Sequence, residues 1–229
     1  MDDAEFDRAA IKAVFDQAAL RGWSDVSLVE AGQDAGLDLV RLRRRFPNRG
    51  AVLMGFGAEA DGAALSGVPS GTPRERLFDI VMNRFEALQA HREGVLSLLS
   101  ALRTDPATSL LLYGGTLRSM KWLLEGAGVP ASGISGALRV HGLLALWLYA
   151  LRTWEQDDSP DLSGTMAAVD RGLDRALQAE RSLPGRMPDP VYDEPMPVDL
   201  TPVDPMPPVY PANPVPLIGD FPDDGPIIV

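Results

Sequence analysis

The distribution of proline limits what this chain can form more than any other feature of the sequence. Most of the 20 prolines lie beyond position 182, where they recur every few residues to the end of the chain. Proline has no amide hydrogen and clashes with the preceding helical turn, so this stretch cannot form helices. We predict an extended or disordered acidic tail over residues 183–229, and we place the folded part in residues 1–182.

The folded part shows sequence patterns of helices and none of the patterns of strands. Apolar side chains recur at three- and four-residue spacing, which marks one face of a helix. Ser27-Leu28-Val29-Glu30 matches the capping box that starts a helix, and Thr72-Pro73 places proline in a first helical turn. Neither sustained alternation nor an Asn-Gly hairpin signal is present. The sequence therefore predicts an all-α fold, with short helices over residues 1–66 and longer ones over residues 67–182.

Several classes of function are disfavoured by what the sequence lacks. Without cysteine, the chain has no disulfide, thiolate metal ligand or cysteine nucleophile. His91 and His141 fall on separate predicted helices, so we expect no metal site. No phosphate-binding loop, GxSxG or HExxH motif occurs, and we expect neither catalysis nor a cofactor. The acidic start differs from a secretory signal, and the apolar run Leu143 to Leu151 is too short for a membrane span, so we expect a cytoplasmic protein without membrane insertion.

The net charge of −11 is unevenly distributed. Residues 183–229 contain one arginine and eight acidic residues, so the tail carries −7 and the folded part −4. Within the folded part, five arginines are concentrated in nine positions, namely Arg41, Arg43, Arg44, Arg45 and Arg49. Such a local cluster is what phosphate binding requires. Three interpretations of the tail stay open: a solubilising extension, a docking segment for a partner, or an acidic competitor that covers the arginine cluster.

The arginine cluster falls on the second helix of a predicted helix-turn-helix. Gly36 ends a short helix that starts after Ser27, and a second short helix follows from about Leu39 to Arg45. Leu28, Val29 and Ala35 of the first helix are expected to pack against Leu37, Leu42 and Phe46. Because Leu42 and Phe46 are four positions apart, they share one inward face, which leaves Arg41, Arg44 and Arg45 outward. An exposed helix with several guanidinium groups suits the major groove of DNA.

Two segments of this region resemble the TetR family of transcriptional regulators. One runs from Ala35 to Arg49 (AGLDLVRLRRRFPNR) and the other from Gly22 to Leu28 (GWSDVSL). Asp38, Val40 and Arg43 replace the customary hydroxyl residue, glycine and aromatic residue of that family. The resemblance, which extends by helix order to about residue 181, implies a TetR-like fold. In that fold, three N-terminal helices (residues 1–66) bind DNA, and a larger helical domain (residues 67–182) binds ligand and dimerises.

The resemblance also implies which residues act. It implies a homodimer that binds double-stranded DNA at a palindromic operator as a ligand-responsive repressor. By position, the candidate DNA contacts are Ser27, Arg41, Arg43, Arg44, Arg45 and Arg49. Candidates to line a pocket for a small apolar effector are Phe85, Tyr113, Met120, Trp122, Leu124 and Trp147, although such residues also build ordinary core. Residues 134–155 are apolar around most of a helix, so we predict a dimer interface of Leu143, Trp147, Leu151, Met166, Val169 and Leu173.

A second resemblance leads to a different function. The segment Trp154 to Leu162, followed by Thr165 and Asp170-Arg171, is similar to the end of a family of ubiquinone-biosynthesis accessory proteins. Members of that family share the helical fold but bind lipids or isoprenoids instead of DNA. Their amphipathic C-terminal helix is replaced here by the proline-rich tail. A lipid- or isoprenoid-binding protein is therefore the alternative to a DNA-binding regulator.

Overall fold

Helices account for the regular structure of residues 1–67 and 70–182, the part of the chain that the computed structural model describes. The nine helices found there are α1 (Asp3–Arg21), α2 (Leu28–Asp34), α3 (Leu39–Arg45), α4 (Arg49–Leu65), α5 (Pro73–Gln89), α6 (Arg92–Ala101), α7 (Pro106–Gly126), α8 (Gly133–Trp154) and α9 (Ser163–Ser182). A 3₁₀ turn, Trp23–Asp25, joins α1 to α2. These residues contain no strand, so the predicted all-α fold is confirmed. The predicted tail lies outside the described residues.

Side-chain caps fix where the helices begin. Thr72 and Glu75 form a reciprocal capping box at α5. At α2, the Glu30 amide donates to Ser27 Oγ over 3.3 Å, as the capping pattern predicted. The other half of that predicted box is missing, because the Glu30 carboxylate pairs with Arg21 and the Ser27 amide donates instead to Gln17 Oε1 over 2.7 Å. α2 is therefore tied to α1 as well as capped.

α1 packs directly on α6, and a glycine makes the close approach possible. A Cβ atom on Gly94 would lie 2.4 Å from the backbone carbonyl oxygen of Phe15. The Phe15 ring lies 4.5 Å from the Phe56 ring of α4, centroid to centroid. His91 completes this cluster at 5.6 Å from both rings, and burial lowers the pKa of its imidazole. His91 is therefore a packing residue, and α1, α4 and α6 share one set of contacts.

α8 and α9 form the far side of the fold. Within the described part of the chain, α8 alone is long and apolar enough to cross a membrane, judged by length and composition. Eight of its residues are buried against the other helices, Trp147 and Trp154 among them. α9 is capped by the preceding loop, where Asp157 accepts hydrogen bonds from Ser159 and Thr165. Partial burial raises the pKa of the Asp157 carboxyl, but these hydrogen bonds outweigh burial and lower the pKa to about 2. This acidic loop therefore caps the start of α9.

The contact at Gly94 generates a stability prediction. Gly94→Ala should lower the free energy of unfolding by about 1–3 kcal/mol, because the new methyl group meets fixed backbone instead of a flexible side chain. Gly114→Ala on α7 is the matched control, since its Cβ would have no atom within 4 Å. That control should raise the free energy of unfolding by about 0.4–1 kcal/mol. Urea denaturation of both variants measures the difference, and equal effects would contradict the packing of α1 on α6.

Candidate nucleic-acid interface and ligand cavity

α2, the following turn and α3 form the predicted helix-turn-helix. The turn depends on Gly36, whose φ of +65° is a conformation that favours glycine. The Leu37 amide donates to the Gly32 carbonyl over 2.8 Å, and Leu37, Leu42 and Phe46 are buried as predicted.

The inward face of α2 differs from the prediction. Val29 is 55% exposed, and Ala35 is also exposed. Ala31 and Gly32 are buried at the inward face that was predicted for Val29 and Ala35. The Leu42 side chain packs on Gly32 so closely that a Cβ atom on Gly32 would lie 2.6 Å from it. In a helix of seven residues, apolar spacing alone did not distinguish the two faces.

Two arginines of α3 point away from the body of the protein. Arg44 is exposed and makes no hydrogen bond or ion pair with residues 1–67 and 70–182. Arg43 is exposed too, and its Nη1 donates to the Pro47 carbonyl over 2.7 Å. Asp38, the acidic residue that replaces the customary hydroxyl, caps α3 by accepting from the Arg41 amide over 2.6 Å. The outer surface of α3 therefore presents two accessible guanidinium groups from a well-capped short helix.

The other two arginines of α3 are held by acids of α1. Arg41 Nη2 donates to Asp3 Oδ1 over 2.5 Å, and its guanidinium carbon lies 4.3 Å from the centre of the Phe6 ring. Arg45 bonds Asp7 with two nitrogens and Asp3 with a third, the latter over 3.0 Å. The hydrogen bond from Arg41 lowers the pKa of Asp3, and the hydrogen bond to Asp7 raises the pKa of Arg45. Arg41 and Arg45 are therefore neutralised within the chain, which the sequence pattern did not predict.

A cavity of about 500 Å³ lies between α4, α5, α6, α7 and α8. Three predicted pocket residues, Tyr113, Trp122 and Trp147, line it. The other three, Phe85, Met120 and Leu124, do not line it and are buried in the core, where the Phe85 ring stacks on Trp147 at 4.4 Å. The lining residues that sequence reasoning missed come from all five helices, among them Leu53, Met54 and Phe56 of α4 and Val95 and Leu98 of α6. Their helical spacing marks a core face and carries no sign that this face borders a cavity.

One wall of the cavity contains a buried ion pair. Arg84 Nη1 lies 3.0 Å from Asp61 Oδ1, and the Ser119 hydroxyl donates to Asp61 Oδ2 over 2.5 Å. The Arg84 guanidinium lies 4.7 Å from the centre of the Trp147 ring. Burial lowers the pKa of Arg84, and the Asp61 carboxylate opposes that shift. A signal for this site was present in the sequence, because Arg84 lies at helical spacing from Val81 and Leu88 on an otherwise apolar face.

Comparison with solved structures identifies the fold. A TetR transcriptional regulator from Nitrosomonas europaea superposes with a TM-score of 0.61 at 19% identity, covering 75% of this chain and 98% of that one. A transcriptional regulator from Rhodococcus sp. Rha1 superposes with a TM-score of 0.50 at 18% identity, covering 78% of this chain and 99% of that one. The chain has the TetR fold. No protein-family model matches the sequence, and no curated protein matches it either.

The remaining candidate DNA contacts take structural positions in this TetR fold. Arg49 Nη1 donates to the carbonyl oxygens of Trp23 and Ser24 over 2.8 and 2.9 Å, so it joins the start of α4 to the 3₁₀ turn. Ser27 is half-buried, and its hydroxyl is the cap of α2. Of the six predicted contacts, Arg43 and Arg44 are thus the ones whose charge faces outward without an acidic partner in the described part of the chain.

Most of the predicted dimer residues are buried inside one chain of the TetR fold. Leu143, Trp147, Val169 and Leu173 are buried, and Leu151 is half-buried. Only Met166 of that set is exposed. The prediction therefore needs correction, since helical spacing marks an apolar face without saying whether the same chain covers it. The apolar residues of α8 that remain exposed include Ile134, Leu138 and Tyr149, which share a different face of the helix.

Proposed function

We propose that this protein is a DNA-binding transcriptional regulator that acts as a homodimer on a palindromic operator. The observation that carries the proposal is the exposed pair Arg43 and Arg44 on the second helix of a helix-turn-helix within a TetR fold. Arginine donors read guanine edges in the major groove and neutralise phosphates. In this proposal, residues 1–66 bind DNA in the cytoplasm, residues 67–182 bind ligand and dimerise, and the protein is not an enzyme.

The proposed dimer uses the exposed apolar strip of α8 and α9. Ile134, Leu138 and Tyr149 lie along one face of α8, with Gly142 and Ala145 exposed between them, and Met166 of α9 adds another exposed apolar side chain. Small residues in the middle of such a strip let a second helix approach closely. A two-fold dimer presents two copies of α3, which supports a palindromic operator.

Ligand response is proposed to act through α4 and α6. Both helices line the cavity, and both contact α1, which packs on the helix-turn-helix. Phe56 lines the cavity while its ring contacts Phe15 of α1. A molecule that fits one arrangement of these helices better than another shifts the population of DNA-binding states. Repression relieved by an effector is the form of regulation that the family resemblance favours.

The cavity also supports the second candidate, a lipid- or isoprenoid-binding protein that does not bind DNA. Most of the cavity lining is apolar, as such a ligand requires. The neutralised Arg41 and Arg45 fit that role as well, because they leave α3 with fewer available cations. A DNA titration separates the two candidates, since only the regulator prefers particular DNA.

Arg44→Ala should weaken specific DNA binding by about 1–3 kcal/mol and reduce the slope of log affinity against log salt by about one. The measurement is fluorescence anisotropy on DNA from upstream of the protein's own gene, against scrambled DNA, across a salt series. Arg171→Ala is the matched control, because it removes an exposed arginine from α9, a helix that packs on α5 and α8. Two results would contradict the regulator proposal and favour lipid binding. One is an equal loss of affinity in both variants, and the other is a wild-type protein that prefers no upstream DNA.

Asp7→Asn should strengthen DNA binding about two- to fivefold, because it removes the negative charge of one of the two carboxylate partners of Arg45. Asp16→Asn changes the net charge equally on the same helix, but Asp16 pairs with Lys12 and does not contact α3. The same anisotropy titration at low salt compares the two variants. An equal gain in both would mean that only net charge matters and that the contact between Asp7 and Arg45 does not limit binding.

Leu138→Arg should shift the protein from dimer to monomer, with dimer affinity reduced about tenfold or more, because a charge enters an apolar interface. Leu138 is 57% exposed, so the substitution leaves the core of one chain intact. Leu20→Arg makes the same chemical change on α1, at a side chain that is 85% exposed. Sedimentation equilibrium measures both variants, and an unchanged dimer in Leu138→Arg would place the interface elsewhere.

A further inference from the structure

The buried ion pair of the cavity wall has hydrogen-bonding groups left over. Arg84 is 5% exposed and lines the cavity together with Asp61 and Ser119. Although Arg84 Nη1 and Asp61 Oδ1 are 3.0 Å apart, neither atom makes a hydrogen bond with the described part of the chain. The same is true of Arg84 Nε. Buried donors and acceptors without a partner are costly. The three atoms are covered by neighbouring atoms, so a ligand group reaches them when the Arg84 and Asp61 side chains turn toward the cavity that both residues line.

The charge of the site restricts what can use these groups. Arg84 and Asp61 neutralise one another, and Ser119 already satisfies the second carboxylate oxygen. An anionic ligand would add a negative charge beside Asp61 in a poorly solvated cavity, and a cationic ligand would add a positive charge beside Arg84. Either charge is unfavourable at low effective dielectric. A neutral group avoids this cost. The other charged residue of the lining, Arg118, is exposed to solvent and its Nη2 lies 3.7 Å from Met54 Sδ, so its charge is solvated.

We propose that the cavity binds a neutral, largely apolar molecule that carries one hydroxyl group at the Arg84–Asp61 pair. A hydroxyl oxygen accepts from Arg84 while its hydrogen is donated to Asp61 Oδ1, so one group satisfies both sides of the pair. The apolar body of the molecule lies against leucine and aromatic side chains such as Leu53, Leu98 and Trp147. Tyr113, Trp122 and Leu148 line the cavity and are also exposed, which places its mouth at these residues.

This inference names the ligand class of the proposed regulator, and it rests on the proposed function only for the effect of that ligand on DNA binding. Ligand binding itself is testable without DNA. Decane, decanol and decanoate share one apolar body and differ in the head group. Each is titrated into the full-length protein, with the fluorescence of Trp122 and Trp147 as the signal. We expect decanol to bind about tenfold more tightly than decane and decanoate, which is the value of one well-formed hydrogen bond at a charged group.

Two variants test the assignment of the pair. Asp61→Leu combined with Arg84→Met replaces the ion pair by apolar groups, a change that buried pairs often tolerate. In this double variant we expect decane and decanol to bind with the same affinity. Asp61→Asn keeps the shape of the side chain and removes its negative charge, so the ratio of decanoate to decanol affinity should rise about tenfold. Thermal unfolding checks that each variant is folded.

The possible results separate this inference from the proposed function. Tightest binding of decanoate by the wild type, or equal binding of decane and decanol, would overturn the assignment of a neutral hydroxyl ligand. An unchanged decanoate-to-decanol ratio in Asp61→Asn would overturn the charge argument. Preference for decanol without any specific DNA binding would keep the ligand inference and remove the regulator. Specific DNA binding without a preference for decanol would keep the regulator and remove the ligand inference.

Discussion

The contacts of Phe15 hold the rest of the structure together. Its backbone lies against Gly94 of α6, and its ring lies against Phe56 of α4 and near Trp23 of the 3₁₀ turn. One residue of α1 therefore touches two of the helices that line the cavity and the turn that leads into α2. Because interiors are close-packed, a shift of α4 or α6 cannot leave α1 where it is. The position of α3 depends in turn on α1, through the ion pairs of Asp3 and Asp7.

Electrostatics at α3 explain how an acidic chain can carry an arginine-rich helix. Four arginines within five positions would repel one another on a free helix of this length. Asp3 and Asp7 offset two of them, and Asp38 stabilises the start of the helix. These exposed pairs contribute little to stability, since the median surface ion pair is worth about 0–1 kcal/mol. Their larger effect is to hold α3 at a defined position on α1 and to leave Arg43 and Arg44 as its accessible cations.

Local patterns predicted much of this fold because helix ends and turns depend on a few neighbouring residues. Gly36, Asp38 and Phe46 enclose α3, and the predicted span from Leu39 to Arg45 matches the observed helix. Predictions about which helix packs against a given apolar face were less accurate. Leu143 and Val169 were assigned to a dimer interface, yet each is covered by its own chain. Spacing identifies an apolar face, and only the tertiary arrangement decides what covers it.

The candidate site shows the same limit for charged residues. The arginines of α3 were visible as a cluster, but their acidic partners Asp3 and Asp7 lie about forty positions away in sequence. Arg84 and Asp61 are separated in the same way, on different helices. A buried ion pair is weak evidence for stability, because apolar residues of similar volume often do as well. Its presence beside a cavity is therefore better explained by a ligand that the pair recognises than by the needs of the fold.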